Sequence, residues 1–208
     1  MPRAGARFAP GAIAVLALLA GCRTAPVPSP VIQGPGADAP WNEQRAALQR
    51  VDAYSLNGRV AVAAKGQGFS ANLRYHQLPQ RADLALDGPM GIGGMHLQFD
   101  ERELSVTNSR GETLDGGAAR AEIESRLGFE LPLAELRWWL LGLPTPGAVA
   151  DGEVETREAS DEISGFTQRG WHVKIDSRMP ALGFSLPQRL TVEREGARLK
   201  LLVEQWGP

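Results

Sequence analysis

Apolar and polar positions change their period three times along the chain. Trp41, Ala47, Leu48 and Val51 fall among Asn42, Glu43, Gln44, Arg45, Gln49 and Arg50, a spacing that predicts a short amphipathic helix. The period then drops to two. Tyr54, Leu56, Val60, Val62 and Ala64 alternate with Ser55, Asn57, Arg59 and Lys65 around Gly58, the pattern of a long half-buried strand. The same alternation sets Phe69, Ala71, Leu73 and Tyr75 opposite Ser70, Asn72, Arg74 and His76, and then Ala82, Leu84 and Leu86 opposite Arg81, Asp83 and Asp87. Met95, Leu97 and Phe99 follow against His96, Gln98 and Asp100, and Leu104 with Val106 continue it. Gly66-Gln67-Gly68 and Asp100-Glu101-Arg102 read as hairpin turns, so this half is an antiparallel meander.

Between Ala118 and Leu141 the spacing becomes helical again, through Ile123 and Leu127 and then Leu133, Leu136, Trp139 and Leu140. Gly128 and Pro132 divide the stretch into two helices, and Gly142 with Pro144 ends the second. Strands resume over Ile163 to Thr167, Trp171 to Ile175, Leu190 to Val192 and Leu199 to Trp206, with Gly165 marking a candidate bulge. About nine strands with one apolar face each, plus helices with an apolar face, imply a curved sheet or open barrel covered by the helices. The same inward residues serve a tightly packed interior or the wall of a cavity.

The first 21 residues have a different character. Arg3 and Arg7 precede a short apolar run from Phe8 to Leu19, and Leu19-Ala20-Gly21-Cys22 closes it. This is the layout of a secretory signal, and the run falls short of the ~20 residues of a spanning helix. The motif resembles a bacterial lipobox, which implies lipidation of Cys22 and cleavage before it. A triacylated cysteine holds a protein on a membrane permanently, since two chains already suffice. Arg23 in place of an acid after the cysteine resembles an outer-membrane sorting signal. Residues 22–40, with Pro26, Pro28, Pro30, Pro35 and Pro40, read as an extended tether, and 41–208 as the folded domain.

Without the leader, 187 residues remain, enough for one domain, with 20 basic against 24 acidic side chains and a net charge of −4. An acidic chain offers phosphates no bulk attraction, so nucleic acid is not an expected partner. The single cysteine excludes an internal disulfide. With that thiol acylated and no Gly-x-Ser-x-Gly elbow present, no nucleophile is visible, and the chain does not read as an enzyme. His76, His96 and His172 lie on outward positions of separate strands without ligand spacing, so neither a metal nor another cofactor is expected. Gly88-Pro89-Met90-Gly91-Ile92-Gly93-Gly94 leads into a strand rather than a helix and carries no lysine, which argues against a phosphate loop. Its two apolar side chains, Met90 and Ile92, suit a projecting tip that touches membrane, or filler under the sheet. Six acids from Asp151 to Glu162 (Asp151, Glu153, Glu155, Glu158, Asp161, Glu162) with Arg157 suit either steering of a basic partner or a solvated loop, the plainer reading.

Several phrases together resemble the LolB family of outer-membrane lipoprotein receptors. They are Leu56-Asn57-Gly58-Arg59-Val60, Gly88-Pro89-Met90-Gly91, Leu131-Pro132-Leu133, the run from Leu136-Arg137-Trp138-Trp139 through Leu140-Leu141-Gly142-Leu143-Pro144, Gln168-Arg169-Gly170-Trp171-His172-Val173, Leu186-Pro187 and Arg198-Leu199-Lys200-Leu201. They occur in the family's order between Trp41 and Trp206. The resemblance implies a mainly β fold, an incomplete antiparallel β-barrel (half-barrel) with an α-helical lid over a hydrophobic cavity. It implies a monomer on the periplasmic face of the outer membrane that accepts acylated lipoprotein cargo from the carrier LolA and inserts it among membrane phospholipids without nucleotide energy. The loop residues Pro89, Met90, Gly91 and Ile92 then form the membrane-insertion loop, with Met90 where the family usually has Leu. The inward candidates for the acyl-chain cavity are Leu84, Leu86, Leu97 and Phe99, with Leu127, Leu136, Trp139 and Leu140 from the lid. Leu136, Trp139 and Leu140 share one helix face. Tyr75, where the family would have Trp, needs a partner for its phenol or a place at the cavity mouth. Arg59 and Arg137 suit either contact with head groups or plain solvation, the favoured reading. The competing reading is a lipid-anchored scaffold or assembly protein with a solid core.

Overall fold

The alternation seen in the sequence closes into one sheet. In the computed structural model, which describes Met1, residues 32–88, 94–147 and 162–208 and the backbone of 155–156, eleven antiparallel strands are ordered β6-β5-β4-β3-β2-β1-β11-β10-β9-β8-β7. They are β1 Tyr54–Ala64, β2 Gln67–Gln77, β3 Ala82–Asp87, β4 Met95–Phe99, β5 Leu104–Asn108, β6 Thr113–Asp115, β7 Glu155–Thr156, β8 Ile163–Gln168, β9 Trp171–Ala181, β10 Phe184–Arg194 and β11 Ala197–Gly207. Helix α1 is Trp41–Leu48, α2 Gly116–Leu127 and α3 Leu133–Leu140. The terminal strands β6 and β7 do not pair with each other, so the barrel is open. Both are very short, which leaves little unpaired backbone at either edge.

Register carries the apolar face across the sheet in rows. One row runs Leu114, Val106, Leu97, Leu84, Tyr75, Leu56 and Trp206 over seven strands, each residue opposite the next. Burying each such side chain contributes about 1.5–3 kcal/mol, and a one-residue slip would turn the whole row to solvent. Several tips use two-residue turns with both residues at positive φ, the turn whose twist matches its strands. They are Lys65-Gly66, Arg169-Gly170 and Leu182-Gly183. The first hairpin therefore turns at Lys65-Gly66, and Gln67 and Gly68, expected in the turn, already belong to β2.

Gly165 pairs regularly with Lys174 on β9, but against β7 the register slips, with Glu155 opposite Gly165 and Thr156 opposite Ile163, so an irregularity does fall at the candidate bulge; others lie at β1 Asn57/Gly58 against β11 and beside Pro187 in β10. At Gly58 a Cβ would overlap the carbonyl oxygen of Leu202, so only glycine lets β11 approach. Strands β9 and β10 extend well past the short apolar runs that announced them: β9 continues through a half-buried stretch that carries Pro180, and β10 begins earlier, with Phe184, Leu186 and Pro187 buried.

Part of the expected tether is docked. Gly34 N–H donates to Leu182 O (2.8 Å) and Gly36 N–H to Gly183 O (2.9 Å) at the β9–β10 tip. Gln44 Nε2 then binds the carbonyls of Ala37 and Ala39, while its Oε1 accepts from Ser185 N–H. The body of the domain thus begins before residue 41.

Candidate functional site

Helices α2 and α3 intervene between β6 and β7 in the chain and roof the concave face. Between roof and sheet lies a cavity of about 80 Å³. Val60, Val62, Leu73, Leu84 and Leu86 of β1–β3 form one wall, and Leu190, Val192, Leu199 and Leu201 of β10–β11 the other. Leu127, Leu131, Pro132, Leu136, Trp139 and Leu140 form the roof. The surface facing this space is entirely nonpolar. A water placed there would find none of the 2–4 partners it needs, so the chamber favours hydrocarbon.

Of the eight cavity candidates, Leu84, Leu86, Leu127, Leu136, Trp139 and Leu140 border this space. Leu97 and Phe99 do not. Both are buried, but β4 lies toward the β6 edge, away from the cavity walls, with α2 packed on β5 and β6; Phe99 borders a separate groove beside α3. Alternation tells which face a residue takes, not what stands above it. Tyr75 also lines the cavity, with its phenol turned aside to donate to Gln77 Oε1 at 2.5 Å.

The roof is clamped by polar groups that the sequence reading passed over. Gln168 is fully buried on β8, and its Oε1 accepts from Trp139 Nε1 (2.9 Å) and Thr145 N–H (3.0 Å). Its Nε2 returns a bond to Thr145 O at 3.3 Å. Glu135, only 3% exposed, pairs with Arg169 at 2.7 Å. A readable signal existed: Glu135 stands four residues before Trp139 and so shares its buried face. Tyr54 OH donates to Arg137 O at 2.6 Å, and the Arg137 guanidinium donates to Val51 O at 3.0 Å and stacks on Trp138. Arg137 is therefore a structural tie rather than a solvated charge, whereas Arg59 is exposed and pairs with Glu204. Burial pushes the phenols of Tyr54 and Tyr75 well above their ordinary value, chiefly by desolvation of the phenolate.

Helix α3 ends in a full Schellman turn, with Gly142 N–H bonded to Trp139 O and Leu143 N–H to Trp138 O. Gly142 holds φ +76°, and a Cβ there would meet Pro187 Cγ at 3.0 Å. Trp139 packs edge-on against Phe166 and Trp171, and Phe129 against Trp171.

The remaining candidates fall as follows. Cys22 and the loop residues Pro89, Met90, Gly91 and Ile92 lie outside the described residues, as does the acidic stretch except for the backbone of 155–156 and Glu162. Glu162 is not a solvated acid: it pairs with Arg178 at 3.0 Å and accepts from Ser185 Oγ. His76 and His96 are exposed, His172 is half-buried, and the three lie on separate strands. His96 approaches Asp83 at 3.7 Å, and His172 Nδ1 lies 3.2 Å from Thr167 Oγ1.

An open antiparallel half-barrel, roofed by clamped helices over a dry chamber, defines a lidded apolar-cavity protein. A sequence model described as "Outer membrane lipoprotein LolB" matches residues 52–206, and the chain belongs to that family. Relatives bearing the name Outer-membrane lipoprotein LolB include one from Stutzerimonas stutzeri (strain A1501), 28% identical over 191 residues that cover 92% of this chain and 91% of its own length. Another, from Pseudomonas aeruginosa (strain LESB58), is 27% identical over 197 residues, 95% of this chain and 94% of that protein. Among solved structures, a DUF1329 family protein from Desulfovibrio piger superposes with a TM-score of 0.50 at 8% identity, over 78% of this chain and 88% of its own, a likeness of fold alone.

Proposed function

We propose that this protein is an outer-membrane lipoprotein receptor. Anchored through Cys22 on the periplasmic face, and acting as a monomer, it takes the acyl chains of lipoprotein cargo from the carrier LolA into its cavity and releases them into membrane phospholipid. The observation that carries this reading is the wholly nonpolar chamber beneath α2 and α3. Each methylene kept from water is worth about 0.8 kcal/mol, so an acyl chain passes between two dry cavities at little cost and into a bilayer with gain. Affinity differences alone drive such transfer, each tenfold step being about 1.4 kcal/mol, and no covalent bond is made or broken.

The cavity as described holds a short hydrocarbon segment, so whole acyl chains displace the roof. The clamps on α3 set the cost of that displacement, and their partners on β8 and β1 keep the helix in register for its return. At the release step the Met90 tip enters lipid. Met90→Glu is expected to leave folding and cavity intact and to block incorporation, because a carboxylate is cheap in water and costly in hydrocarbon. Normal incorporation by that variant would sink the loop assignment.

The handoff is tested by mixing the chain carrying Cys22→Ala with LolA loaded with labelled lipoprotein. The label is expected on this chain. Label retained on a competent carrier, with this chain folded, favours the second reading, a lipid-anchored scaffold with a solid core, for which the small chamber volume speaks.

A further inference from the structure

Among the described residues, Phe69 is the only large apolar side chain besides Met1 left open to solvent, at 39% exposure. A lone exposed apolar residue is ordinary, but the position of this one is not. Phe69 lies on β2 directly opposite Val62 of β1, and Val62 lines the cavity. Cross-strand partners on one face stand about 5 Å apart, so the ring adjoins the chamber wall. Along β2 the inner file runs Leu73, Ala71, Phe69, from cavity lining to the outside.

A groove opens at this point between the β1–β2 hairpin and the last turn of α2. Val62 and Leu127 line both this groove and the chamber. Gly128, in the left-handed conformation at φ +82°, ends α2 here, and a Cβ on it would come within 3.1 Å of the Ala64 methyl, so the helix seals closely against the strand end. Lys65, Gln67, Glu124, Ser125 and Arg126 make most of the groove polar, and its apolar floor is the narrow strip of Val62, Phe69 and Leu127. Strand β3 reaches only as far as Asn72 of β2, so Phe69 stands beyond it, on the side from which the chain leaves β3 after Asp87.

We infer that this groove is the portal through which a single alkyl chain passes between the chamber and a lipid surface, with Phe69 as its apolar sill. The inference rests on the acyl-binding reading and specifies the route. A hydrocarbon sliding over Leu73, Ala71 and Phe69 stays against carbon from chamber to exterior, while its polar end remains at the wet rim. The α2 terminus needs only to lift from Ala64.

The test uses the chain with Cys22→Ala, palmitate bearing a solvatochromic fluorophore, and phosphatidylglycerol–phosphatidylethanolamine vesicles as acceptor. Phe69→Cys is blocked reversibly by a glutathione mixed disulfide, and Ser70→Cys, on the opposite face of the strand, carries the same adduct as control. Phe69→Asp is a second variant that needs no adduct. Expected is a fall of about tenfold in both loading and release rates for the Phe69 adduct and for Phe69→Asp, with equilibrium loading little changed, as for a gate rather than a binding determinant. Reduction should restore the rates, and the Ser70 adduct should leave them alone. Unchanged rates at Phe69 with normal loading, or equal slowing at Ser70, overturn the portal. Failure of the unmodified chain to bind the probe overturns the acyl-cavity reading itself.

Discussion

Leu84 and Leu97 are neighbours in one cross-strand row and look alike in the sequence, yet their surroundings differ. Leu84 borders the chamber, while Leu97 is sealed beneath the roof. Leu97→Ala is expected to cost about 3–4 kcal/mol and Leu84→Ala about 2 kcal/mol, because the second deletion enlarges a space that already exists. Chemical denaturation midpoints check the order, and only Leu84→Ala should alter affinity for a fatty-acid probe. Gln168→Ala strands the buried donor Trp139 Nε1 and the half-buried Thr145 N–H. Its expected cost is about 2–4 kcal/mol by the same measurement. Tyr54 and Tyr75 are the only tyrosines in the chain, so phenolate absorbance reports them alone. Their folded pKa values are raised above the ordinary 10.0. The unfolded state then loses its protons first, so stability is full below pH 10 and falls above it, by about 1.4 kcal/mol per pH unit for each phenol. Ionisation of both phenols at pH 10 without loss of structure would contradict this.

The same residues take on meaning through the elements that hold them. Helix α3 offers an apolar face and one buried acid, and its position is set by partners on other elements: Gln168 and Arg169 near the β8–β9 turn, and Tyr54 at the start of β1. The left-handed Gly142 lets the chain leave α3 against Pro187. Gly142→Ala combines a strained φ with a tight Cβ contact, and is expected to destabilise by about 1–3 kcal/mol and to raise hydrogen exchange across residues 133–143 before it loosens the sheet. Uniform loss of protection would argue against a roof that moves as a unit. Most strands and all three helices were legible because each shows one clean period. Strands β6 and β7 were not, being edge pieces of three and two residues. The second half of β9 was hidden because both its faces are partly exposed, and the first half of β10 because Pro187 breaks the alternation begun by Phe184 and Leu186.

At the level of the whole molecule, the curvature of eleven strands and the path of two helices decide whether the interior is solid or hollow. Fatty acid at 100 times its Kd is expected to raise unfolding free energy by about 2.7 kcal/mol if the chamber takes it up. A solid core would show no saturable shift in the denaturation midpoint. The clamp is not visible along the chain because Gln168 and Glu135 meet their partners, Trp139 and Arg169, only across some 30 positions. The sequence by itself determined what depends on neighbours along the chain: the alternation that sets strand faces, the glycines that permit turns and a close approach at Gly58, the helix ends, and the phrases that mark the family. Tertiary structure alone decided which inward residues meet vacant space, which polar groups pair in the interior, and where an apolar file reaches the outside, because each depends on curvature and on contacts between segments remote in sequence.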